Sequence, residues 1–240
     1  MSHTVIFTGG KSPAAADFVR YCNIHGTPDF AVAADSGLET ALDFGIEPDE
    51  IVGDMDSLRD TSCLQNRAGK IQIFPRDKDF SDTELALIRA ISHNKNAWIT
   101  LVGGGGGRID HFLSIFDIFS SPISDFCSET YPDFRPMDAW LPGISDESDA
   151  QALYFLPSEK TLEIKNIYHG ENISVCRTTR SFSGGSVETQ GLEWEGNLFR
   201  KSGMPSLSNR LSSKCDAASI TARGADFVVI VPLKASCRRI

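Results

Sequence analysis

Over residues 4–120 the chain alternates short apolar runs with stretches whose apolar positions recur at helical spacing. Thr4–Thr8, Phe30–Ala34, Glu50–Val52, Lys70–Phe74 and Ala97–Val102 are brief runs bounded by turn residues, as strands are. Between them, residues 13–24, 37–45, 58–67, 82–92 and 109–119 carry the helical pattern. Strand then helix, repeated with short connections, predicts a parallel sheet with helices on its faces. Ligands of such sheets bind beyond the carboxyl ends of the strands. The residues that follow each apolar run are therefore the first place to look for chemistry.

The pattern changes after residue 120. Ser121-Pro122, Tyr131-Pro132, Arg135-Pro136 and Leu141-Pro142-Gly143 punctuate a stretch that ends in the polar run Asp146-Glu147-Ser148-Asp149. From about 151 the helical period is gone. Ala152–Leu156, Thr161–Ile164, Ile173–Thr178, Ser186–Thr189, Ala217–Ala222 and Phe227–Val231 are short runs between turn residues, which predicts a small β-sandwich. The expected layout is an α/β unit over 1–127, a linker or surface excursion over 128–150, and an all-β unit over 151–240.

Length and charge narrow the function. At 240 residues the chain can hold two domains, each with a real core. A net charge of −9 argues against a nucleic-acid or membrane-surface partner, since both need basic surface. Cys22, Cys63, Cys127, Cys176, Cys215 and Cys237 show no C-x-x-C pair and no zinc spacing, and are expected as free thiols in a reducing compartment. The N-terminus enters a strand pattern at once, without the features of a signal peptide. No apolar run approaches the roughly 20 residues of a membrane span. A cytoplasmic protein is the expectation.

Acids collect at the expected strand ends. Asp35 follows the second run, Asp54 and Asp56 the third, and Asp79 and Asp82 the fourth. Ser36 with Glu39, Ser57 with Asp60, and Ser81 with Glu84 have the spacing of capping boxes, which would fix three helix starts. Capping accounts for the serines but not for the extra acids. Carboxylates brought together resist ionising unless a cation lies among them, and an all-oxygen group of this kind suits Mg2+ with its remaining positions open to water and phosphate.

The fifth run ends in different chemistry. Gly103-Gly104-Gly105-Gly106-Gly107-Arg108-Ile109-Asp110-His111 combines glycines that let a ligand approach the backbone with a guanidinium suited to phosphate oxygens. No Gly-Lys-Ser/Thr follows, so this is not a Walker A loop. Asp110 is placed either to join a metal or to orient Arg108, and His111 either as a helix-start hydrogen-bonding group or as a proton carrier. Gly9-Gly10 after the first run is a second, weaker candidate for nucleotide contact.

Taken in order, these motifs resemble the thiamin pyrophosphokinase (thiamine diphosphokinase) family. The resemblance rests on Ala34-Asp35-Ser36-Gly37, Gly53-Asp54-Met55-Asp56-Ser57, Asp77 to Ala86, Gly106-Gly107-Arg108-Ile109-Asp110-His111, Thr189-Gln190-Gly191-Leu192-Glu193-Trp194 and Leu207-Ser208-Asn209. It implies an N-terminal Rossmann-like α/β catalytic domain, a C-terminal β-sandwich and a homodimer with active sites at the subunit interface. It further implies ATP and thiamin as substrates, Mg2+ as cofactor, and pyrophosphoryl transfer from ATP to the thiamin hydroxyl, giving thiamin diphosphate and AMP.

Carried across by residue, the resemblance places Asp54, Asp56 and Asp82 at the metal, with Asp79 and Asp110 beside them as catalytic acids. It places Gly105, Gly106, Gly107, Arg108 and Ser81 at ATP, and Asp35, Trp194, Ser208 and Asn209 at thiamin. The chain departs from the family pattern at Glu195-Gly196, where Pro-Leu is usual, and at Ser81, where a Thr is usual; the stretch 128–150 is longer. Two other functions would also use Asp-x-Asp at a strand end or a nucleotide site: a Mg2+-dependent phosphatase and a non-catalytic nucleotide sensor. Neither accounts for the acids, the glycine loop and the Trp194 segment together.

Overall fold

The computed structural model describes residues 2–120, 136–143, 150–179, 184–198 and 205–240, with the side chains of 196–198 excepted. Cys127, the 127/128 boundary and most of the stretch 128–150 lie outside the described residues. The α/β half runs β1 (His3–Phe7), α1 (Ala15–His25), β2 (Phe30–Ala34), α2 (Gly37–Asp43), β3 (Glu50–Gly53), β4 (Ile71–Ile73), α3 (Asp82–His93), β5 (Trp98–Val102) and α4 (Ile109–Ser120). It is followed by β6 (Ala139–Leu141), β7 (Gln151–Leu156), β8 (Thr161–Lys165), β9 (Ile173–Arg177), β10 (Ser186–Gln190), β11 (Gly196–Leu198), β12 (Ser206–Asn209), β13 (Ala217–Arg223), β14 (Phe227–Pro232) and β15 (Ser236–Arg239).

The strands form two sheets. Ten of them lie in the order β12-β9-β14-β7-β6-β5-β1-β2-β3-β4, and five in the order β11-β10-β13-β8-β15. From β6 to β4 every pairing is parallel, as the strand–helix alternation predicts. At the pairing of β6 with β7 the sheet turns antiparallel and stays so out to β12. The α/β half and the β-rich half thus share one continuous sheet, and the sandwich is made by the five-stranded sheet packing on its antiparallel part. The stretch expected as linker or surface excursion supplies the joint: Ala139, Trp140 and Leu141 are fully buried. A three-residue strand is too short to declare itself by periodicity, and its burial comes from β5 on one side and β7 on the other.

Side-chain alternation explains how one sheet serves two cores. Val5 and Phe7 point to the face carrying α1, α2 and the five-stranded sheet, while Ile6 points to the face carrying α3 and α4. β7 repeats the scheme: Ala152, Tyr154 and Leu156 face one way, Leu153 and Phe155 the other. A strand covered on both faces reads as a continuous apolar run. An ion pair also ties the sheets together, with Arg239 Nη2 of β15 2.5 Å from Oδ1 of buried Asp138. Nearby, the ring of His25 stacks on Tyr21 with centroids 4.2 Å apart, and its Nε2 lies 3.2 Å from the Tyr154 hydroxyl.

Two of the three capping boxes do not form. Ser81 and Glu84 close theirs reciprocally, with Ser81 N donating to Glu84 Oε2 at 2.7 Å and Glu84 N to Ser81 Oγ at 3.3 Å. Ser36 makes no side-chain cap, because Glu39 instead accepts from Arg59 N and Nε, both at 2.7 Å. The helix expected over 58–67 is replaced by two short 3-10 turns, Thr61–Leu64 and Ala68–Lys70. The first is capped by Asp60, which accepts from Ser62 N at 2.8 Å, and not by Ser57. Among the described residues, no helix is long and apolar enough to cross a membrane, and Cys22, Cys63, Cys176, Cys215 and Cys237 are free thiols.

Candidate active site

The carboxyl ends of β1, β2, β3 and β5, with the first turns of α3 and α4, surround a cleft of about 730 Å³. Asp35, Asp54, Asp56 and Asp82 line one wall, and Gly104 to Arg108 line the other. Lys11, Arg76 and Lys78 also line it. This is the position at which a parallel sheet offers its ligand site.

Three of the acids converge. Carboxylate oxygens of Asp35, Asp54 and Asp82 all lie within 4.8 Å of one another. The backbone is bent to achieve this: Gly53 at φ +140° carries the chain past Asp35, and Asp35 and Met55 sit at φ +48° and +63°. Non-glycine residues in the left-handed region carry a local cost that surrounding contacts must hold in place. The contacts are backbone hydrogen bonds, with Asp35 N donating to Val52 O at 2.8 Å and Leu38 N to Asp35 O at 3.0 Å. Asp35 is buried, and its Oδ1 has no hydrogen-bond partner. Burial raises the Asp82 carboxyl above the ordinary carboxylate range, Lys78 opposes the shift, and the charges of Asp35 and Asp54 add to it. Lys78 Nζ stands 2.9 Å from Asp82 Oδ1, an ion pair by distance although its angles fall outside hydrogen-bond geometry. A buried, unpaired carboxylate oxygen facing two more acids fits a hard divalent cation with oxygen ligands.

The other acids are arranged differently. Asp56 lines the cleft outside that group: its Oδ1 accepts from Ser57 Oγ at 3.0 Å and its Oδ2 lies 3.7 Å from Arg76 Nε. Asp79 is exposed and does not line the cleft. Asp110 accepts from Arg108 Nε at 3.2 Å and Nη2 at 2.5 Å, which draws its carboxyl down to about 2. Asp110 thus pairs with Arg108 and lies outside the group of three converging acids. His111 lines the cleft from the first turn of α4.

The glycine run is two structures in series. Gly103 and Gly105 are packed too tightly for any side chain, since a β-carbon would meet Thr8 O at 2.4 Å and Gly143 O at 1.9 Å, while Gly104, at φ +76°, would meet the tip of Ile115 at 2.5 Å. Lys11 N donates to Gly105 O at 2.6 Å, and Gly105 N to Lys11 O at 3.0 Å, so the ends of β1 and β5 are stitched together. Gly107 has open space around its Cα and Gly106 meets only the Lys11 side chain. The part available to a ligand is therefore Gly106-Gly107-Arg108, while Gly105 holds the loop closed. Lys11 and Gly143 are the contributors that local sequence reasoning missed. Gly9-Gly10 beside Lys11 is the one local signal; Lys11 and Gly143 are both brought here by pairings across the sheet.

Trp194, Ser208 and Asn209 come together elsewhere. Asn209 is buried and bridges the Trp194 backbone, accepting from Trp194 N at 3.2 Å and donating from Nδ2 to Trp194 O at 3.0 Å. Ser208 adopts φ +53°, and its N donates to Ser174 Oγ at 3.0 Å. The Trp194 ring is 52% exposed with the Arg210 guanidinium 5.0 Å from its centroid. This patch sits at β12, one edge of the large sheet, and Asp35 follows β2, seven strand positions away. At about 4.8 Å per strand the two lie roughly 30 Å apart within one chain. The structure thus separates Asp35 from the other three residues expected at thiamin.

An acid cluster and a glycine-rimmed loop at the carboxyl ends of a parallel sheet make this an α/β protein with a cleft whose residues fit a divalent cation and a phosphorylated ligand. Comparison with known proteins is more specific. Residues 22–125 match the sequence model described as thiamin pyrophosphokinase, catalytic domain. A thiamine pyrophosphokinase of Bacillus subtilis (strain 168) is 33% identical over 110 residues, 45% of this chain and 50% of that protein, so the alignment spans half the relative's length. Over residues 22–125 the chain is thus similar in sequence to the catalytic domain of thiamin pyrophosphokinases. As folds the likeness reaches further. The crystal structure of thiamine pyrophosphokinase from Bacillus subtilis superposes with a TM-score of 0.66 at 19% identity, over 97% of this chain and 99% of that one. Thiamin pyrophosphokinase from Candida albicans does so at 0.61 and 14%, over 95% and 89%.

Proposed function

We propose that this protein transfers a pyrophosphoryl group from ATP to the hydroxyl of thiamin, giving thiamin diphosphate and AMP. The observation that carries the proposal is the convergence of Asp35, Asp54 and Asp82 within 4.8 Å at the mouth of the matched catalytic domain, with Asp35 Oδ1 buried and unpaired. These three acids would hold Mg2+, which when bound supplies charge neutralisation for the triphosphate and orients its oxygens. Asp35, assigned to thiamin by the resemblance, is better used here at the metal. Asp56, assigned there to the metal, is left as the cleft carboxylate not committed to the cation.

The chain's own residues then divide the work. Gly106 and Gly107 present backbone N–H groups to the phosphates and Arg108, held by Asp110, presents its guanidinium. Lys11 and Arg76 add positive charge from two other sides of the cleft. Ser81 keeps a hydroxyl proton to donate, because its Oγ acts as acceptor in the helix cap. The thiamin oxygen attacks the β-phosphorus, the bond from that phosphorus to the α-bridging oxygen breaks, AMP leaves, and the hydroxyl proton passes to Asp56. Catalysis on this scheme is mainly positioning and charge stabilisation.

The thiamin pocket is proposed to form between two copies of the chain. Trp194, Ser208 and Asn209 lie roughly 30 Å from the acids of their own chain by the strand count. A homodimer would bring the patch of one copy to the cleft of the other, with Trp194 stacking on the thiamin ring. Large apolar side chains stand exposed at both places, Ile109 and Leu113 on α4 beside the cleft and Trp194 and Leu207 at the patch. Residues 1–127 would then form the ATP half and 151–240 the thiamin half, in a protein acting in the cytoplasm. Chromatography of a reaction containing ATP, Mg2+ and thiamin tests the function. AMP and thiamin diphosphate in equal amounts are expected; free phosphate without thiamin diphosphate would point to a phosphatase, and bound but unchanged ATP to a sensor.

A further inference from the structure

We propose that Lys78 is an exchangeable counter-ion, held by Asp82 until a divalent cation enters the acid cluster and then passed to the phosphates of the nucleotide. The inference rests on the reading above that Asp35, Asp54 and Asp82 take a divalent cation. Lys78 lies in the loop four residues ahead of Asp82, with Nζ 2.9 Å from Oδ1 and also donating to Pro75 O at 3.2 Å, and its side chain is only 14% exposed. The same Asp82 carboxylate lies within 4.8 Å of Asp35 and Asp54. One ammonium among three carboxylates leaves the cluster with surplus negative charge, which is the affinity for a cation. That ammonium also occupies an oxygen a cation would use.

A divalent ion and an ammonium in contact with the same carboxylate repel each other strongly at the distances involved. One of them must give way, and Lys78 has the means: a flexible four-carbon stem ending in a point charge. It already lines the cleft together with Lys11, Arg76 and Arg108, so a displaced ammonium meets the space assigned to the triphosphate. Displacing Lys78 then costs affinity for the cation alone and gains affinity once a phosphate is there to receive it. Metal and nucleotide consequently strengthen each other's binding, as linkage requires. The device favours filling the cluster together with nucleotide over filling it with metal alone.

Calorimetric binding to the intact protein tests this without any turnover. Mn2+ is titrated into wild type and Lys78→Met in the absence of nucleotide, and α,β-methylene-ATP, as its Mn2+ complex, is titrated into both at saturating Mn2+. Lys78→Met should bind Mn2+ about tenfold more tightly and the nucleotide about tenfold more weakly, since one ammonium is removed from beside both charges. Lys78→Arg, which keeps the charge, should shift neither by as much and shows whether a loss comes from misfolding. If wild type takes up Mn2+ but Lys78→Met binds it equally or less tightly, the exchange is overturned while the cation site stands. If neither protein takes up Mn2+, the cation site itself is wrong, and the exchange falls with it.

Discussion

Gly105 sits against the backbone of Gly143 so closely that a β-carbon on it would lie 1.9 Å from the Gly143 carbonyl oxygen. The contact joins the glycine loop after β5 to the turn after β6, and so fixes the rim of the cleft to the middle of the sheet. Gly105→Ala must move backbone at both places, and a loss of about 3 kcal/mol of stability, the upper end for overpacking, is expected. Gly107→Ala meets no atom within 4 Å but sits at φ +64°, so it should cost about 1 kcal/mol of backbone strain. Urea unfolding of the two variants separates them. Equal losses would mean that the loop is not anchored at Gly105.

Asp82 makes stability depend on pH. Its folded value is raised, chiefly by burial, so the native state holds that proton more tightly than the unfolded chain. Stability from this group is greatest below the ordinary carboxylate range and is lost as pH rises through the raised value. In EDTA, Asp82→Asn should therefore melt at a higher temperature than wild type at pH 7, and the difference should shrink toward pH 4. Melting curves across that range decide it. A variant that is less stable than wild type at pH 7 would refute the assignment.

His25 gives a second pH window, of opposite sense. Burial lowers its folded value from 6.5 to about 4, with the nearby charge of His3 adding to the effect. The unfolded chain then takes up the proton first, so stability is full above pH 6.5 and falls as pH drops toward 4. The loss amounts to about 3 kcal/mol, because each tenfold change in proton affinity is worth about 1.4 kcal/mol. His25→Phe keeps the stack on Tyr21 and removes the titration, and should flatten this part of the pH–stability curve. An unchanged slope in urea unfolding would show that His25 is not the group responsible.

Asp54 and Trp194 act in the same reaction from different chains if the pocket forms between copies. Asp54→Asn and Trp194→Ala should each be folded and nearly inactive with limiting thiamin. Mixed and allowed to reassort, they should regain about a quarter of wild-type activity, because half the dimers are mixed and each mixed dimer has one intact pair of elements. A mixture as inactive as its components would place both residues of each site on one chain.

The sequence displays local decisions and hides cooperative ones. The alternation of apolar runs with helical spacing predicts β1–β5 and four of the five helices, since each follows from the period of its own residues. The Ser81–Glu84 box is visible for the same reason. Ser36 and Ser57 have the right spacing too, yet Glu39 is claimed by Arg59 and Asp60 caps its own turn; those competitors are 20 residues away in one case and three in the other. The joint at Ala139–Leu141 is three residues beside prolines, and only its neighbours across the sheet make it a strand. At the site, the spacing of Asp54 and Asp56 suggests a pair, but Met55 at φ +63° turns Asp54 toward Asp35 and Asp82 and leaves Asp56 to Arg76. Which carboxylates meet is set by a backbone conformation that residue types alone do not specify.

On the proposed mechanism the β- and γ-phosphorus of ATP leave together for one thiamin oxygen at the cluster containing Asp54. A 31P NMR time course of ATP, Mg2+ and thiamin with wild type and Asp54→Asn follows that transfer atom by atom. Wild type should convert ATP into AMP and thiamin diphosphate one for one, with no ADP or thiamin monophosphate along the way, and Asp54→Asn should leave ATP unchanged. Appearance of ADP with thiamin monophosphate, or undiminished turnover by Asp54→Asn, would contradict it.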